Sequence, residues 1–180
     1  VIYDNSLDLA SEEGISDPYM SMLIDDCIER GKTVKEGGAV YDFCGPLYMG
    51  IANTGNSLAA IKKLVFDDKV LSGEDLLHAL NTDFEDMTTS PTGEEIRHMC
   101  LKAPKYGNDD DYVDDIMAKY LYDIFAEEEK YHTTRYGRGP IGCTWVPSCN
   151  TVSSNVPLGK IVGATPDGRK AGEALADTTS

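Results

Sequence analysis

The sequence has no apolar run near the roughly 18–20 residues that a membrane-crossing helix needs. It does not open with a basic segment followed by an apolar one, so no signal peptide is read there. It has five cysteines, an odd number, and no Cys-x-x-Cys, which argues against a disulfide framework. Its three histidines, His78, His98 and His132, are scattered, and no zinc or iron–sulfur ligand spacing occurs. Free thiols in a reducing cytoplasm are the simplest account of Cys27, Cys44, Cys100, Cys143 and Cys149. Basic residues are scarce: 16 Lys and Arg against 31 Asp and Glu, a formal net charge of −15. A chain this acidic repels nucleic acid and anionic membrane surfaces, so neither is expected as a partner. Also missing are G-x-S-x-G, the P-loop, H-E-x-x-H and the dinucleotide fingerprint.

What is present is ordinary globular material. The chain has 180 residues, 41% of them hydrophobic, enough for one domain with a core. It begins at Val1 and ends Ala-Asp-Thr-Thr-Ser, and both ends read as cut from a longer chain. Residues 1–16 are polar and irregular and read as a loop or the tail of an insertion.

From there helical signals dominate. Ser16 or Asp17 can cap a first helix, with Pro18 in its first turn and Gly31 at its end. Met20, Leu23, Ile24, Cys27 and Ile28 would share its apolar face. A second helix is predicted from Ser57, with Leu58, Ile61, Leu64 and Val65 inward. Ser72-Gly-Glu-Asp75 loosely matches a capping box and would open a third. A fourth lies between Pro91 and Ala103. The longest runs from about Asp110 to Tyr131, where Val113, Ile116, Met117, Tyr120, Leu121, Ile124 and Phe125 keep the i, i+3, i+4 rule. Strands are predicted at Gly38–Phe43, Ile141–Val146 and Lys160–Gly163. Helices separated by short buried strands imply an α/β arrangement. The strands are too few to close a sheet within the chain.

Three segments could carry chemistry. In Glu36-Gly37-Gly38-Ala39-Val40-Tyr41, paired glycines permit close backbone approach, and Glu36 at a strand entrance could act as acid, base or acceptor once desolvated. Lys105-Tyr-Gly-Asn-Asp-Asp-Asp-Tyr-Val-Asp114 clusters carboxylates, but they are consecutive and the glycine precedes them, so an EF-hand is excluded. Asn108 or Asp109 instead reads as a helix N-cap. Gly163-Ala-Thr-Pro166-Asp167-Gly168-Arg169-Lys170 is a tight-turn sequence, read as a surface turn bearing two solvated cations in preference to a ligand site.

Taken together these segments resemble the glycyl radical enzymes of the pyruvate formate-lyase type. The segment Pro18–Gly31, then Gly37-Gly-Ala-Val-Tyr41, Asn56-Ser-Leu-Ala-Ala-Ile-Lys-Lys-Leu-Val65, Lys105–Asp114 and Gly163–Arg169 follow that family's order, covering most of the chain from Pro18 onward. The resemblance implies that residues 1–180 are an internal part of one catalytic domain, family-like over 17–180. It implies an α/β fold forming part of a ten-stranded barrel with outer helices, incomplete in this chain. It also implies a glycine radical that passes to a cysteine, whose thiyl radical abstracts hydrogen from a small-molecule substrate.

In such enzymes a separate activating enzyme, using S-adenosylmethionine and an iron–sulfur cluster, installs the radical. No cofactor is expected on this chain itself. The family's Gly-Cys-x-Glu and Arg-Val-x-Gly-Tyr motifs do not occur in the 180 residues, so the chain alone is expected to be inactive.

Glu36-Gly-Gly-Ala-Val-Tyr-Asp-Phe-Cys-Gly-Pro46 and Arg135-Tyr-Gly-Arg-Gly-Pro140 look most similar to the arylacetate decarboxylases such as 4-hydroxyphenylacetate decarboxylase. That likeness makes Glu36 a candidate holder of the substrate phenol, with Tyr41 and Cys44 as substrate contacts. Gly37, Gly38, Asn108, Asp109, Pro166, Asp167, Gly168 and Arg169 then mark structural motifs. A glycerol or diol dehydratase, a choline lyase, and a non-catalytic scaffold or binding module are the alternatives. A homo-oligomer is expected of the parent protein, with a small subunit if it is a decarboxylase, in the cytoplasm.

Overall fold

The structure is a computed structural model. It describes residues 17–44, 47–128, 130, 141–145, 148–149 and 153–177. The readings of residues 1–16 and of Arg135–Pro140 lie outside the described residues. The chain divides into two compact units, Val1–Pro46 with Ile124–Pro147, and Leu47–Asp123 with Ser148–Ser180.

In the first unit, α1 spans Pro18–Leu23. The Asp17 carboxylate accepts from the Met20 N–H at 3.0 Å, and Pro18 sits where no donor is needed. The helix is shorter than its apolar pattern predicts. Ile24 is extended and Asp26 has φ +75, so the chain leaves the helix at Leu23. Met20, Leu23 and Ile28 are therefore exposed, and Ser21 and Cys27 face inward. The Ser21 hydroxyl accepts the Val34 N–H at 3.0 Å. A 3-10 turn, Val34–Glu36, follows. Strand β1, Tyr41–Cys44, pairs in parallel with β3, Ile141–Trp145.

In the second unit, β2 (Leu47–Tyr48) pairs in parallel with β4 (Ser148–Cys149). Helix α2 runs Ile51–Ile61, starting six residues before the predicted Ser57. Gly55 and Asn53 weaken a helix locally, but tertiary contacts override that propensity. A Cβ on Gly55 would lie 1.8 Å from Met117 Sδ, so the glycine admits a close-packed neighbour. One turn of π-helix, Lys62–Asp67, continues α2.

Helix α3 is Gly73–Asn81, capped by Ser72 as predicted. Helix α4 is Gly93–Lys102, with a Thr92–Glu95 capping box. Helix α5 is Asp111–Glu128, and α6 is the short Asn155–Gly159. One buried cluster joins Leu64, Leu71, Leu76, Ala79, Phe84, Ile96 and Cys100; a second joins Ala59, Val113 and Met117. Their burial supplies the main stabilisation, at about 25 cal/mol per Å² of apolar surface.

The expected portion of a ten-stranded barrel is corrected by these residues. The described chain is mainly helical. Its four strands, of 4, 2, 5 and 2 residues, form two separate two-stranded pairings. Most apolar residues follow the helical period and pack helix against helix. The strand predicted at Lys160–Gly163 is a turn instead. Ile161 is 80% exposed there, and the Val162 N–H bonds back to the Gly159 carbonyl.

Candidate functional site

The Glu36 segment is held by local bonds. The Glu36 carboxylate accepts from the Thr33 N–H at 2.9 Å and the Thr33 hydroxyl at 2.8 Å, while Thr33 Oγ1 accepts from the Glu36 N–H. This is a reciprocal capping box on a partly exposed turn. Gly37 closes it in the left-handed region, at φ +72. At Gly38 a Cβ would meet the Lys32 carbonyl at 2.3 Å and Cys27 Sγ at 2.8 Å. At Gly38 the groups that approach closely are the preceding loop and Cys27. Arg30 fixes the exit by donating to the Gly38 and Ala39 carbonyls at 2.8 and 3.0 Å. Tyr41 is 65% exposed, and Cys44 ends β1 opposite Trp145.

The turn at Pro166–Arg169 differs from its reading as a solvated surface loop. Asp167 and Arg169 are both 7% exposed. Gly168 has φ +97, and its N–H closes the turn on the Thr165 carbonyl. All five guanidinium N–H donors of Arg169 find acceptors. Nε donates to Thr165 Oγ1, Nη1 to the Lys170 and Glu173 carbonyls, and Nη2 to the Val162 and Gly163 carbonyls. The loop is therefore folded around its own arginine. Lys170 is the partly exposed cation, 3.5 Å from Glu85.

Asp167 ties this loop to α2. Its Oδ1 accepts from the Thr165 hydroxyl at 2.6 Å and its Oδ2 from Asn53 Nδ2 at 2.6 Å. The Ala176 N–H donates to Asn53 Oδ1, which fixes the amide's orientation. Arg97 of α4 donates through Nε to the Gly168 carbonyl at 3.0 Å. A Cβ on Gly168 would lie 2.7 Å from Leu101 Cγ, so glycine is required twice over, by φ and by space.

Beside this turn opens a cleft of about 320 Å³, lined among others by Asn53, Asn56, Arg97, Lys105, Asp167 and Glu173. Asn56 is buried and accepts the Tyr106 N–H at 2.7 Å. Lys105 donates to the Cys100 carbonyl at 2.6 Å, and burial lowers its ammonium below the ordinary lysine range. The same burial pushes the Cys100 thiol up to about 11, so it stays protonated and inert near neutrality. Sequence reasoning missed Asn53, Asn56 and Arg97, whose partners lie 50 to 114 residues away.

Asn108 and Asp109 do not cap α5. Asn108 Nδ2 donates to the Lys105 carbonyl, and Asp109 adopts φ +55. The cap comes one residue later, from Asp110, which accepts the Tyr112 N–H at 3.0 Å. Among the described residues no group of three His, Cys, Asp or Glu could hold a metal ion, and no helix is long and apolar enough to cross a membrane.

The chain belongs to the pyruvate formate lyase-like family, whose description matches residues 1–159. It is 46% identical over 175 residues to YbiW, a probable dehydratase of Escherichia coli K12, covering 97% of this chain and 21% of that protein. It is 33% identical over 178 residues to indoleacetate decarboxylase of Tractidigestivibacter scatoligenes, covering 87% and 19%. In structure it is similar to the glycerol-bound B12-independent glycerol dehydratase of Clostridium butyricum. The TM-score is 0.77 at 40% identity, over 94% of this chain and 20% of that one. The chain thus spans about a fifth of the length of the relatives it matches.

Proposed function

We propose that this chain is a section of a glycyl radical lyase that acts on a small hydroxylated substrate, a dehydratase. The observation that carries this reading is the order of likeness. Identity to the Escherichia coli probable dehydratase exceeds that to the indoleacetate decarboxylase. The likeness to a glycerol dehydratase structure supports the same side. The arylacetate decarboxylase reading, built on Glu36 and its neighbours, therefore takes second place.

The radical of such a lyase supplies hydrogen abstraction from the substrate. No residue of this chain is given a radical step, because neither radical motif occurs in its 180 residues. Its own contribution is positional. The Arg169 loop and the Asp167–Asn53 bond hold backbone that would otherwise be free. Glu36 serves first to shape the turn before Tyr41, and Tyr41 and Cys44 stay candidates for substrate contact. The partners of the reading are an activating enzyme that uses S-adenosylmethionine and an iron–sulfur cluster, and a second copy of the parent protein. A cytoplasmic setting goes with it.

The test uses the whole polypeptide that carries this chain, activated anaerobically by its activating enzyme. Incubation with glycerol or propane-1,2-diol is expected to yield the corresponding aldehyde. Release of p-cresol from 4-hydroxyphenylacetate would reinstate the decarboxylase. Failure to form any organic radical signal on activation would remove the lyase reading altogether.

A further inference from the structure

We propose that the cleft beside the Thr165–Arg169 turn binds a small oxyanion, a phosphate, sulfonate or carboxylate group, between the Lys105 ammonium and the Arg97 guanidinium. The charge balance of the cleft is the first argument. The chain carries −15 overall. Yet the cleft lining holds three cations, Arg97, Lys105 and Arg169, against two carboxylates, Asp167 and Glu173. A local positive excess in so acidic a protein is an attractive site for an anion and a poor one for a cation.

The second argument is which donors remain. Arg169 is spent on its own loop. Asp167 is satisfied by Asn53 and the Thr165 hydroxyl, and Glu173 Oε2 accepts from the Lys170 N–H. Neither carboxylate is hydrogen-bonded to Lys105, although the Asp167 charge acts on it through space. The Lys105 ammonium makes one bond, to the Cys100 carbonyl, although it has three donors. Arg97 uses Nε on the Gly168 carbonyl, and its Nη1 lies 3.8 Å from Glu94. Arg97 also lines the cleft, and the Glu94 oxygen stands beyond hydrogen-bond distance, so a guanidinium fork that matches an oxyanion in geometry is at hand.

The third argument is cost. A partly buried ammonium with a single neutral acceptor is unfavourable, and an anion in the cleft offsets that desolvation. A volume of about 320 Å³ accommodates such a group with part of the molecule that bears it. None of this depends on the lyase reading, and the readout is binding, so the two can fail separately.

The probe is inorganic phosphate, with methanesulfonate and acetate as parallel arms, on the purified protein at matched ionic strength against chloride. Phosphate is expected to raise the unfolding midpoint by about 3–5 °C at saturation. Lys105→Gln and Arg97→Gln should each weaken phosphate binding by about tenfold or more, measured by calorimetry. The arm that gives the largest shift identifies the anion class. The general stabilising effect of phosphate on any protein is removed by comparison with the variants.

If a variant does not fold, mass spectrometry of lysine acetylation in the unaltered protein decides. Phosphate should slow labelling of Lys105 at least tenfold and leave the exposed Lys119 unchanged. Equal shifts in wild type and variants, or no protection of Lys105, would overturn the proposal.

Discussion

The two glycine-bearing turns are held in opposite ways. The Glu36 turn is closed by bonds between residues three apart, Thr33 with Glu36. The Arg169 turn closes on itself and is then tied to residues 71 and 114 positions away, Arg97 and Asn53. In the first, Glu36 is exposed and the following glycines are buried; the second is buried around a fully bonded guanidinium. A local turn forms from its own few residues, and its loss costs one cap. A turn built on distant partners exists only when the whole unit is folded, and its loss leaves several buried groups unpaired.

Breaking that asymmetry should have its largest effect at Arg169. Lysine offers three donors on one atom, where the guanidinium makes five bonds in a plane. Arg169→Lys should therefore destabilise the protein by about 2–4 kcal/mol. Hydrogen exchange at the amides of Thr165–Glu173 should speed up well beyond that of the rest of the unit. Unchanged exchange there would mean that the loop does not need its arginine.

Next comes Asn53→Leu. It strips a partner from both Asp167 Oδ2 and the Ala176 N–H, for an expected loss of about 2–3 kcal/mol in urea unfolding. Asn53→Asp should be worse, because it sets two carboxylates at hydrogen-bond distance. If Asn53→Asp equals wild type near neutrality, the bond is not a tie.

These same contacts explain what could and could not be seen in the sequence. The start of α1 at Asp17-Pro18, the Ser72 cap and the long α5 rest on local or periodic signals, and all were legible. The first half of α2 was not. Asn53, Gly55 and Asn56 disfavour helix by themselves and are explained only by Asp167, Met117 and Tyr106. Arg169 was misjudged for a related reason. Four of its acceptors are backbone carbonyls, which every sequence has and none advertises. The strand at Lys160–Gly163 failed because Ile161-Val162 is apolar enough to read as β, yet Ile161 faces solvent and the segment is a turn. In the site, Lys105 stood in a motif read for its carboxylates, and neither its place in the cleft nor that of Arg97 has a local signal.

On the local side of the comparison, Thr33→Ala removes the reciprocal cap on the Glu36 turn and should cost about 1 kcal/mol. Exchange should increase only from Val34 to Gly38. Glu36→Gln keeps an acceptor for the Thr33 N–H and should be nearly silent in stability. In the whole enzyme, a fall in kcat/KM for Glu36→Gln far beyond its stability change would move Glu36 from turn to substrate contact.

The smallest effect is expected at another short-range tie, the partly exposed Asp86. Its carboxylate accepts from the Thr88 hydroxyl at 2.6 Å and the Thr88 N–H at 2.8 Å, and pairs with His78 Nε2 at 2.7 Å. The Thr88 and His78 side chains lead in lowering its pKa, to about 2. The folded value lies below the ordinary carboxylate value. The folded state therefore gains stability from this group above about pH 4, and loses it as pH falls through that value toward about 2. Solvent screening keeps the gain small. In unfolding curves taken from pH 5 downward, the difference between wild type and Asp86→Asn should shrink steadily as pH falls from about 4 toward about 2, and vanish only below that. A difference that stays constant between pH 4 and pH 2 would mean the pair acts through packing of the 86–92 loop, and that its contribution is not local charge at all.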